Sequence, residues 1–340
     1  MATHFNALIV GGTGLISRGV VKHLLARGAN VTCFNRGKLT NTLPEEVEQL
    51  HGDRNVPGEL ESALAGRAFD VVIDMICFNA EQAKQDVALF GGRCGHFLFC
   101  STVCTYGVKV PPGVVVDETF PQEPISGYGR NKLAAEKVFL QAHAEGKFPA
   151  TVLRPSSTYG PGGRLIDNLE FDPPTWARIE KGLPVLCSNG GMGLWTSTHR
   201  DDCGKLFAYA ALNTKTFGQS YNATRQEVFT WNDLYREAGE ALGRRPLVVY
   251  MPAQWIVARD PKRFGFLAEI GQFHGAYTSA KAMADVPEFR CEIDYTAGFA
   301  ETIEDIKQRG AFNHGEADSL YKTMVQEARS AGVEPVELTA

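Results

Sequence analysis

The sequence lacks several features that would place it in other classes of protein. Its longest apolar runs, such as Phe97–Cys100, fall far short of the ~20 residues that a membrane helix needs. The N-terminus, MATHFNALIV, has neither the basic region nor the long apolar core of a signal peptide. Lysine and arginine form no cluster, and the net charge is −5, which argues against a nucleic-acid partner. We therefore expect a cytoplasmic protein with no membrane partner.

Paired cysteines are also missing. The chain has eight cysteines, and none has the C-x-x-C spacing of a zinc site. They are typical of small buried side chains in a reducing compartment, so we predict no metal site. Apolar residues make up 44% and charged residues 21% of the 340 positions, an ordinary balance for a globular chain. This length allows one large α/β unit with a second lobe.

Apolar strands alternate with amphipathic helices through the first half of the chain. Strands are predicted at Phe5–Val10, Asn30–Phe34, Asp70–Met75, His96–Cys100 and Ala150–Leu153, and helices at Ser17–Arg27, Ala80–Leu89 and Tyr128–Glu145. This alternation predicts an α/β fold, a Rossmann doubly wound parallel sheet.

The pattern changes after Gly160, where proline and glycine mark loops. We predict a first domain over residues 1–165, to which residues 197–224 return. Residues 166–330 mainly form a smaller C-terminal α/β substrate domain, with helices at Thr175–Lys181 and Trp231–Leu242. Residues 331–340 are predicted to be a loose tail.

A glycine-rich turn joins the first strand to the first helix. Glycine permits a tight turn and close approach to a pyrophosphate, and the helix N-terminus offers free N–H groups. Ser17 stands where a third glycine is usual. The turn predicts binding of NAD or NADP by Gly11, Thr13, Gly14, Leu15 and Ile16.

The end of the second strand bears on the choice between these cofactors. Asn35 stands where an acidic residue would bind the ribose of NAD, and Arg36 could pair with the 2′-phosphate of NADP. NADP is mildly favoured, although Arg36 could equally be a surface arginine or stack on adenine. Asp53 is placed either to meet the adenine amino group or to cap its own loop.

Tyr128 and Lys132 are four residues apart, on one face of a predicted helix. A phenol is a poor base at neutral pH, and a nearby ammonium favours the phenolate. Tyr128 could then exchange a proton with a substrate hydroxyl while hydride moves at the same carbon. Lys132 could also hold the nicotinamide ribose.

Several segments together resemble the extended short-chain dehydrogenases, the NAD-dependent epimerase/dehydratase group. These are the glycine turn, Ser101–Gly107, Tyr128–Lys132, Arg154–Gly162 and His199–Asp202. The resemblance places Thr102 at the catalytic Ser/Thr, Ser101 beside the substrate and Pro155 in the loop next to the nicotinamide. The sequence also looks like the chloroplast stem-loop-binding subgroup, whose role is in nucleic-acid binding.

The resemblance implies transient oxidation of a sugar to a ketone, with epimerisation as the leading hypothesis. Val103 and Cys104 replace the usual Asp-Glu pair of dehydratases. Cys104 lies two residues before Tyr106, where GDP-mannose 3,5-epimerases carry a catalytic cysteine. Arg164 or Asp167 could be its partner across the substrate. The alternative is that Cys104 is simply buried.

A departure from the family concerns the substrate. Trp195 stands where sugar-nucleotide epimerases often carry an arginine for the diphosphate, which suggests a nucleoside or another substrate without one. Trp195 could stack on that substrate or pack a domain junction, and Arg225 is a further candidate for the cleft. A dehydratase, an NADPH-dependent reductase and a nucleotide-sensing or RNA-binding protein remain alternatives, and a homodimer is the expectation for assembly.

Overall fold

The computed structural model describes residues 4–39, 43–111, 113–315 and 318–339. Residues 1–3 and 340, at the ends of the predicted first domain and tail, lie outside this range. The strands are β1 (Asn6–Val10), β2 (Asn30–Asn35), β3 (Glu48–His51), β4 (Phe69–Asp74), β5 (Cys94–Cys100), β6 (Ala150–Pro155), β7 (Ser157–Tyr159), β8 (Val185–Ser188), β9 (Leu194–Trp195), β10 (Ser197–His199), β11 (Ser220–Ala223), β12 (Phe229–Thr230), β13 (Leu247–Met251) and β14 (Val336–Glu337). The helices are α1 (Leu15–Ala26), α2 (Glu59–Leu64), α3 (Ala80–Phe90), α4 (Gly127–Ala144), α5 (Thr175–Glu180), α6 (Arg200–Ala210), α7 (Trp231–Ala241), α8 (Ala253–Val257), α9 (Ala280–Asp285), α10 (Tyr295–Gln308) and α11 (Ser319–Ser330).

Seven parallel strands form the central sheet, in the order β11-β6-β5-β4-β1-β2-β3. Strand β1 lies between β2 and β4, with Ala7 opposite both Val31 and Val71. The chain order reverses at β1, which is the point where open α/β sheets bind ligands at the strand carboxyl ends. The predicted Rossmann doubly wound sheet is confirmed.

Helices cover both faces of this sheet, as a parallel sheet requires. Helices α1 and α6 pack together on one face, where Val20, Leu24 and Phe207 join the core. Helices α3 and α4 pack on the other face, through Phe90 and Phe139. Because both faces are covered, the central strands β1, β4 and β5 are largely buried apolar runs, whereas the edge strand β3 is polar and mostly exposed.

The segment 197–224 lies beside the first 165 residues. Strand β11 forms one edge of the central sheet, and β10 pairs with β7. The second lobe is built around β13, which pairs with β8 in parallel. Within the described residues, none of the helices combines the length and apolar character needed to cross a bilayer.

The segment after residue 330 differs from the expected loose tail. Val336 pairs with Val248, so β14 is an antiparallel edge strand on β13. Leu338 is buried in the core of the second lobe. The reason is tertiary: two apolar residues in a short polar stretch find an open strand edge that local sequence does not reveal.

Candidate active site

The hydroxyl-rich segment after β5 turns sharply at the carboxyl end of the sheet. Thr102 caps a short 3-10 turn over Val103–Thr105, and its Oγ1 accepts a hydrogen bond from the Cys104 N–H at 3.2 Å. Thr102 and Tyr128 line the same cavity, and the Thr102 side chain lowers the pKa of the Tyr128 phenol. The structure therefore brings together the threonine and the tyrosine that the sequence placed 26 positions apart.

Helix α4 carries Tyr128 and Lys132 on one face. The helix starts where Ser126 Oγ accepts the Gly129 N–H at 3.0 Å. Lys132 is buried, and its Nζ donates to the carbonyl oxygens of Cys77 and Cys100, both at 2.7 Å. The ammonium lies 5.9 Å from the centre of the Tyr128 ring, so the pair is adjacent as predicted.

The surroundings of both groups shift their pKa values, although Tyr128 is 47% exposed. Desolvation raises the pKa of Tyr128, the nearby Cys100 and Cys104 thiols raise it further, and Thr102 opposes the shift. Burial lowers the pKa of Lys132, while Cys100 and Asp74 oppose that change. Tyr128 is consequently a protonated phenol at neutral pH, able to donate a proton.

A cavity of about 430 Å³ opens in front of these groups, within the usual size range of small-molecule sites. It is lined by Thr102, Val103, Cys104, Gly107, Val108, Ile125, Ser126, Tyr128, Ser156, Ser157, Ile166, Phe171, Trp195, Thr196, Phe266, Ile270, Phe273, His274, Gly275 and Tyr277. Both lobes contribute to this wall. In the part of the chain that the structure describes, the lining contains no Lys, Arg, Asp or Glu.

Cys104 lies in the same wall as Thr102 and Tyr128. Burial raises the pKa of its thiol, with a hydrogen bond to Thr102 opposing the shift. The lowered pKa that an activated cysteine needs is therefore absent from this structure.

The glycine turn has the geometry expected for a dinucleotide. Gly11 has a φ of +91°, and a Cβ on it would lie 2.5 Å from Ile76, so only glycine fits. The N-terminus of α1 has no side-chain cap, which leaves its N–H groups for a pyrophosphate. Ser17 keeps the turn closed, because its Oγ donates to the Gly11 carbonyl at 2.7 Å. Thr13, Leu15 and Ile16 lie along this turn and are partly accessible.

The end of β2 fits the ribose side of such a cofactor. Asn35 Oδ1 accepts the Gly37 N–H at 2.9 Å, whereas its buried Nδ2 has no acceptor among the described residues. Arg36 is exposed next to it. Asp53 Oδ1 accepts the N–H and the amide of Asn55, both at 2.9 Å, so the loop-capping interpretation accounts for that carboxylate.

Two predicted substrate residues lie away from the cavity. Arg164 is exposed and faces a separate 140 Å³ cleft beside Trp176 and Phe312. Asp167 is fully buried, where it accepts hydrogen bonds from Leu169 N–H, Glu170 N–H and Thr175 Oγ1. Asp167 closes its own loop, so neither residue can be the partner of Cys104 in this structure.

Two further predicted substrate residues bond to other side chains of the protein. Ser101 donates to Glu136, a buried carboxylate that also pairs with Arg154. Arg225 pairs with Glu227 at 2.9 Å and lies over the Phe229 ring. Neither lines the cavity. Pro155 ends β6 immediately before Ser156, which does line it.

Trp195 is where the sequence suggested, in the cavity wall. It stacks on Trp231 with ring centres 4.9 Å apart, so it also packs the second lobe. Sequence reasoning missed Phe171, Phe266 and Phe273, because nothing in their spacing assigns them to a site. The irregular π-helical turn Leu267–Gly271 between two of them is typical of functional sites, but it is visible only in the structure.

Asp74, Cys77 and Asp86 form a buried group of potential metal-ligand atoms. Arg54 fills it: its guanidinium pairs with Asp74 and, at 3.0 Å, with Asp86. The arrangement is thus a buried ion network beneath Lys132.

Comparisons with known proteins agree with this architecture. The 2'-dehydrokanamycin reductase of Streptomyces kanamyceticus is 29% identical over 78% of this chain and 74% of its own length. The chloroplast stem-loop binding protein of 41 kDa b from Arabidopsis thaliana is 25% identical over 94% of this chain and 83% of its own. The UDP-glucuronic acid 4-epimerase from Bacillus cereus, solved with UDP-glucuronic acid and NAD, has the same fold, with a TM-score of 0.70 at 18% identity, covering 89% of this chain and 99% of that chain.

Residues 7–223 match the model of the NAD dependent epimerase/dehydratase family. This match covers the glycine turn, the threonine, the tyrosine and the lysine. It confirms NAD or NADP as the cofactor, and the preference for NADP stays a prediction. The chain belongs to the NAD-dependent epimerase/dehydratase family.

Proposed function

We propose that this protein reduces a ketone to a secondary alcohol on a sugar-containing substrate that lacks a diphosphate, with NADPH as the reductant. The observation that carries this proposal is the placement of Thr102 and Tyr128 in the wall of one cavity, with the Lys132 ammonium 5.9 Å from the centre of the Tyr128 ring. NADPH, when bound, supplies the hydride. The protein must supply one proton and hold the carbonyl.

Tyr128 is suited to donate that proton. Its raised pKa keeps the phenol protonated at neutral pH, so its O–H can donate to the ketone oxygen as the carbonyl carbon accepts hydride. The new C–H and O–H bonds then account for one hydride and one proton. Thr102 orients the same oxygen, and Lys132 places a positive charge nearby, which favours the resulting phenolate.

The cofactor side supports NADPH. The turn at Gly11–Ile16 and the free N-terminus of α1 would hold the pyrophosphate. The unpaired Asn35 Nδ2 would donate to a ribose oxygen, and the exposed Arg36 guanidinium would meet a 2′-phosphate. Position 35 is an uncharged asparagine and not an acidic residue, which would repel that phosphate.

The cavity argues against a sugar nucleotide as the substrate. A buried diphosphate needs charge-assisted hydrogen bonds, and the described lining offers no arginine or lysine. The relative named 2'-dehydrokanamycin reductase supports a reductase of this general kind. The structural likeness to epimerases bears on the fold alone.

The test is oxidation of NADPH, followed by absorbance, with methyl 3-ketoglucoside and methyl 4-ketoglucoside as probes. We expect Tyr128→Phe to slow turnover by about 10²–10⁴-fold, the usual contribution of general acid catalysis, while NADPH affinity stays unchanged. Tyr209→Phe, on α6 outside the cavity lining, is the matched control. Full activity of Tyr128→Phe would contradict the proposal.

A second candidate, redox-neutral epimerisation, is favoured by one observation: Cys104 shares the cavity wall with Thr102 and Tyr128. In that reaction the thiol would exchange a proton at the carbon beside the transient ketone. Its raised pKa makes this the weaker candidate. Turnover of methyl glucosides in deuterated water without added NADPH, with deuterium uptake lost in Cys104→Ser, would support epimerisation over reduction.

A further inference from the structure

Two kinds of side chain line the cavity. Thr102, Tyr128 and Ser156, all from the first domain, contribute hydroxyl groups. The second lobe contributes aromatic and aliphatic side chains, chiefly Phe266 and Ile270. A substrate that reaches Tyr128 with its carbinol would therefore also have apolar side chains to contact.

The apolar part of this lining is preassembled. Phe266 lies 4.7 Å from Phe171 and 5.8 Å from Trp195, measured between ring centres. Trp195 is held in place by its stacking on Trp231. Because these rings already contact one another, a ligand would meet a fixed aromatic wall and would not have to create one.

The apolar surface continues to the cavity mouth. Phe171 is 55% exposed, Phe273 is 36% exposed and Ile125 is 39% exposed, and all three line the same cavity. A single exposed apolar side chain is ordinary, but several that line one cleft are typical of a binding site. The apolar part of the substrate would therefore extend from the cavity to its rim.

We infer that the substrate is a neutral glycoside with an apolar aglycone, whose sugar reaches Tyr128 and whose aglycone lies against Phe171, Phe266 and Phe273. The absence of charged side chains from the described lining disfavours strongly charged ligands. This inference rests on the proposed function for its reacting carbon. The apolar aglycone is inferred from the size of the cavity and from its aromatic wall.

Methyl, propyl and pentyl β-glucosides test the inference, with binding to the NADP-loaded protein followed by tryptophan fluorescence. Each methylene buried against this wall should lower Kd about fourfold, so pentyl glucoside should bind far more tightly than methyl glucoside. UDP-glucose should bind more weakly than pentyl glucoside. Equal Kd values along the series, no binding of any glucoside, or tighter binding of UDP-glucose would overturn the inference.

Substitutions of exposed residues at the cavity rim should leave the fold intact, so a change in Kd reports on binding. Phe171→Ser and Phe273→Ser change exposed side chains and should flatten the dependence of Kd on chain length. Leu183→Ser, which is 42% exposed and outside the lining, should leave it intact. If Kd falls steeply with aglycone length but the protein oxidises no NADPH, the inference stands and the proposed reduction is contradicted. If the protein reduces keto-sugars but Kd does not depend on aglycone length, the proposed reduction stands and the inference is contradicted.

Discussion

Arg54 is a buried cation whose removal should strongly destabilise the fold. It is 7% exposed and lies between Asp74 and Asp86, both 0% exposed. Its Nη2 donates to both oxygens of Asp86, at 3.0 and 3.1 Å, and its Nη1 donates to Asp74. Removing one partner of a buried ion pair typically costs about 3–5 kcal/mol, because the other charge is left uncompensated. We expect Arg54→Met to lose about that much free energy of unfolding in urea denaturation.

The loss should depend on pH in a definite direction. Burial and Asp74 already raise the pKa of Asp86, and Arg54 opposes that shift. Removing Arg54 should therefore raise the pKa of Asp86 further, so the folded variant should retain a proton over a wider pH range. The folded-state pKa of the carboxyl group that keeps this proton lies above the ordinary aspartate value of about 3.9. As pH rises from that value towards the folded pKa, the folded state binds more protons than the unfolded state and stability falls. The penalty should be smaller at pH 5 than at pH 8.

A surface arginine provides the control. Arg67 pairs with Glu48 at 2.8 Å, but both side chains are more than 40% exposed, and such pairs contribute about 0–1 kcal/mol. Arg67→Met should therefore change stability little. Equal losses for the two variants, or a pH-independent loss for Arg54→Met, would refute the argument.

Two further predictions concern Arg36 and His96. Arg36→Ala should weaken NADP binding roughly tenfold or more and leave NAD binding nearly unchanged in calorimetric titrations; equal losses for both would instead place Arg36 on the adenine. Burial lowers the pKa of His96 to about 3. Nδ1 of the neutral ring accepts a hydrogen bond from the Leu212 N–H, and Nε2 is hydrogen-bonded to Thr151 Oγ1. Stability should fall by up to about 1.4 kcal/mol per pH unit as pH drops from about 6.5 towards the folded pKa. His96→Gln should flatten that slope in urea titrations, and an unchanged slope would contradict the assignment.

The sheet and the cofactor turn could be predicted because their signals are local. A buried parallel strand needs a short apolar run, and the turn at Gly11 needs a residue that tolerates positive φ, so each leaves a mark in the sequence itself. Tyr128 and Lys132 were found for the same reason, since their spacing follows from the pitch of one helix. Thr102 needed the family resemblance, because only the fold brings it to Tyr128.

The substrate side could not be predicted in this way. Arg164, Asp167 and Arg225 have the chemistry of binding residues, but each was assigned without knowing its nearest partner. The Asp167 carboxylate accepts hydrogen bonds from the N–H groups that follow it, and Arg225 forms an ion pair with Glu227. Phe171 and Phe273 are far apart in sequence and line the same cavity only in the folded chain. Bonds to neighbouring residues decide the positions of Asp167 and Arg225, and tertiary contacts, which no local pattern encodes, decide those of Phe171 and Phe273.

The position of Ser101 shows how the site is held together. Lys132 and Glu136 are one helical turn apart on α4, on the face that carries Tyr128. Lys132 is fixed by backbone carbonyls, and Glu136 pairs with Arg154 and accepts from Ser101. Ser101 therefore joins β5 to the helix, while the next residue, Thr102, lies in the cavity wall with Tyr128. Because neighbouring residues on the strand end contact neighbouring turns of one helix face, the buried anchor fixes the distance between the threonine and the tyrosine, on which proton donation depends.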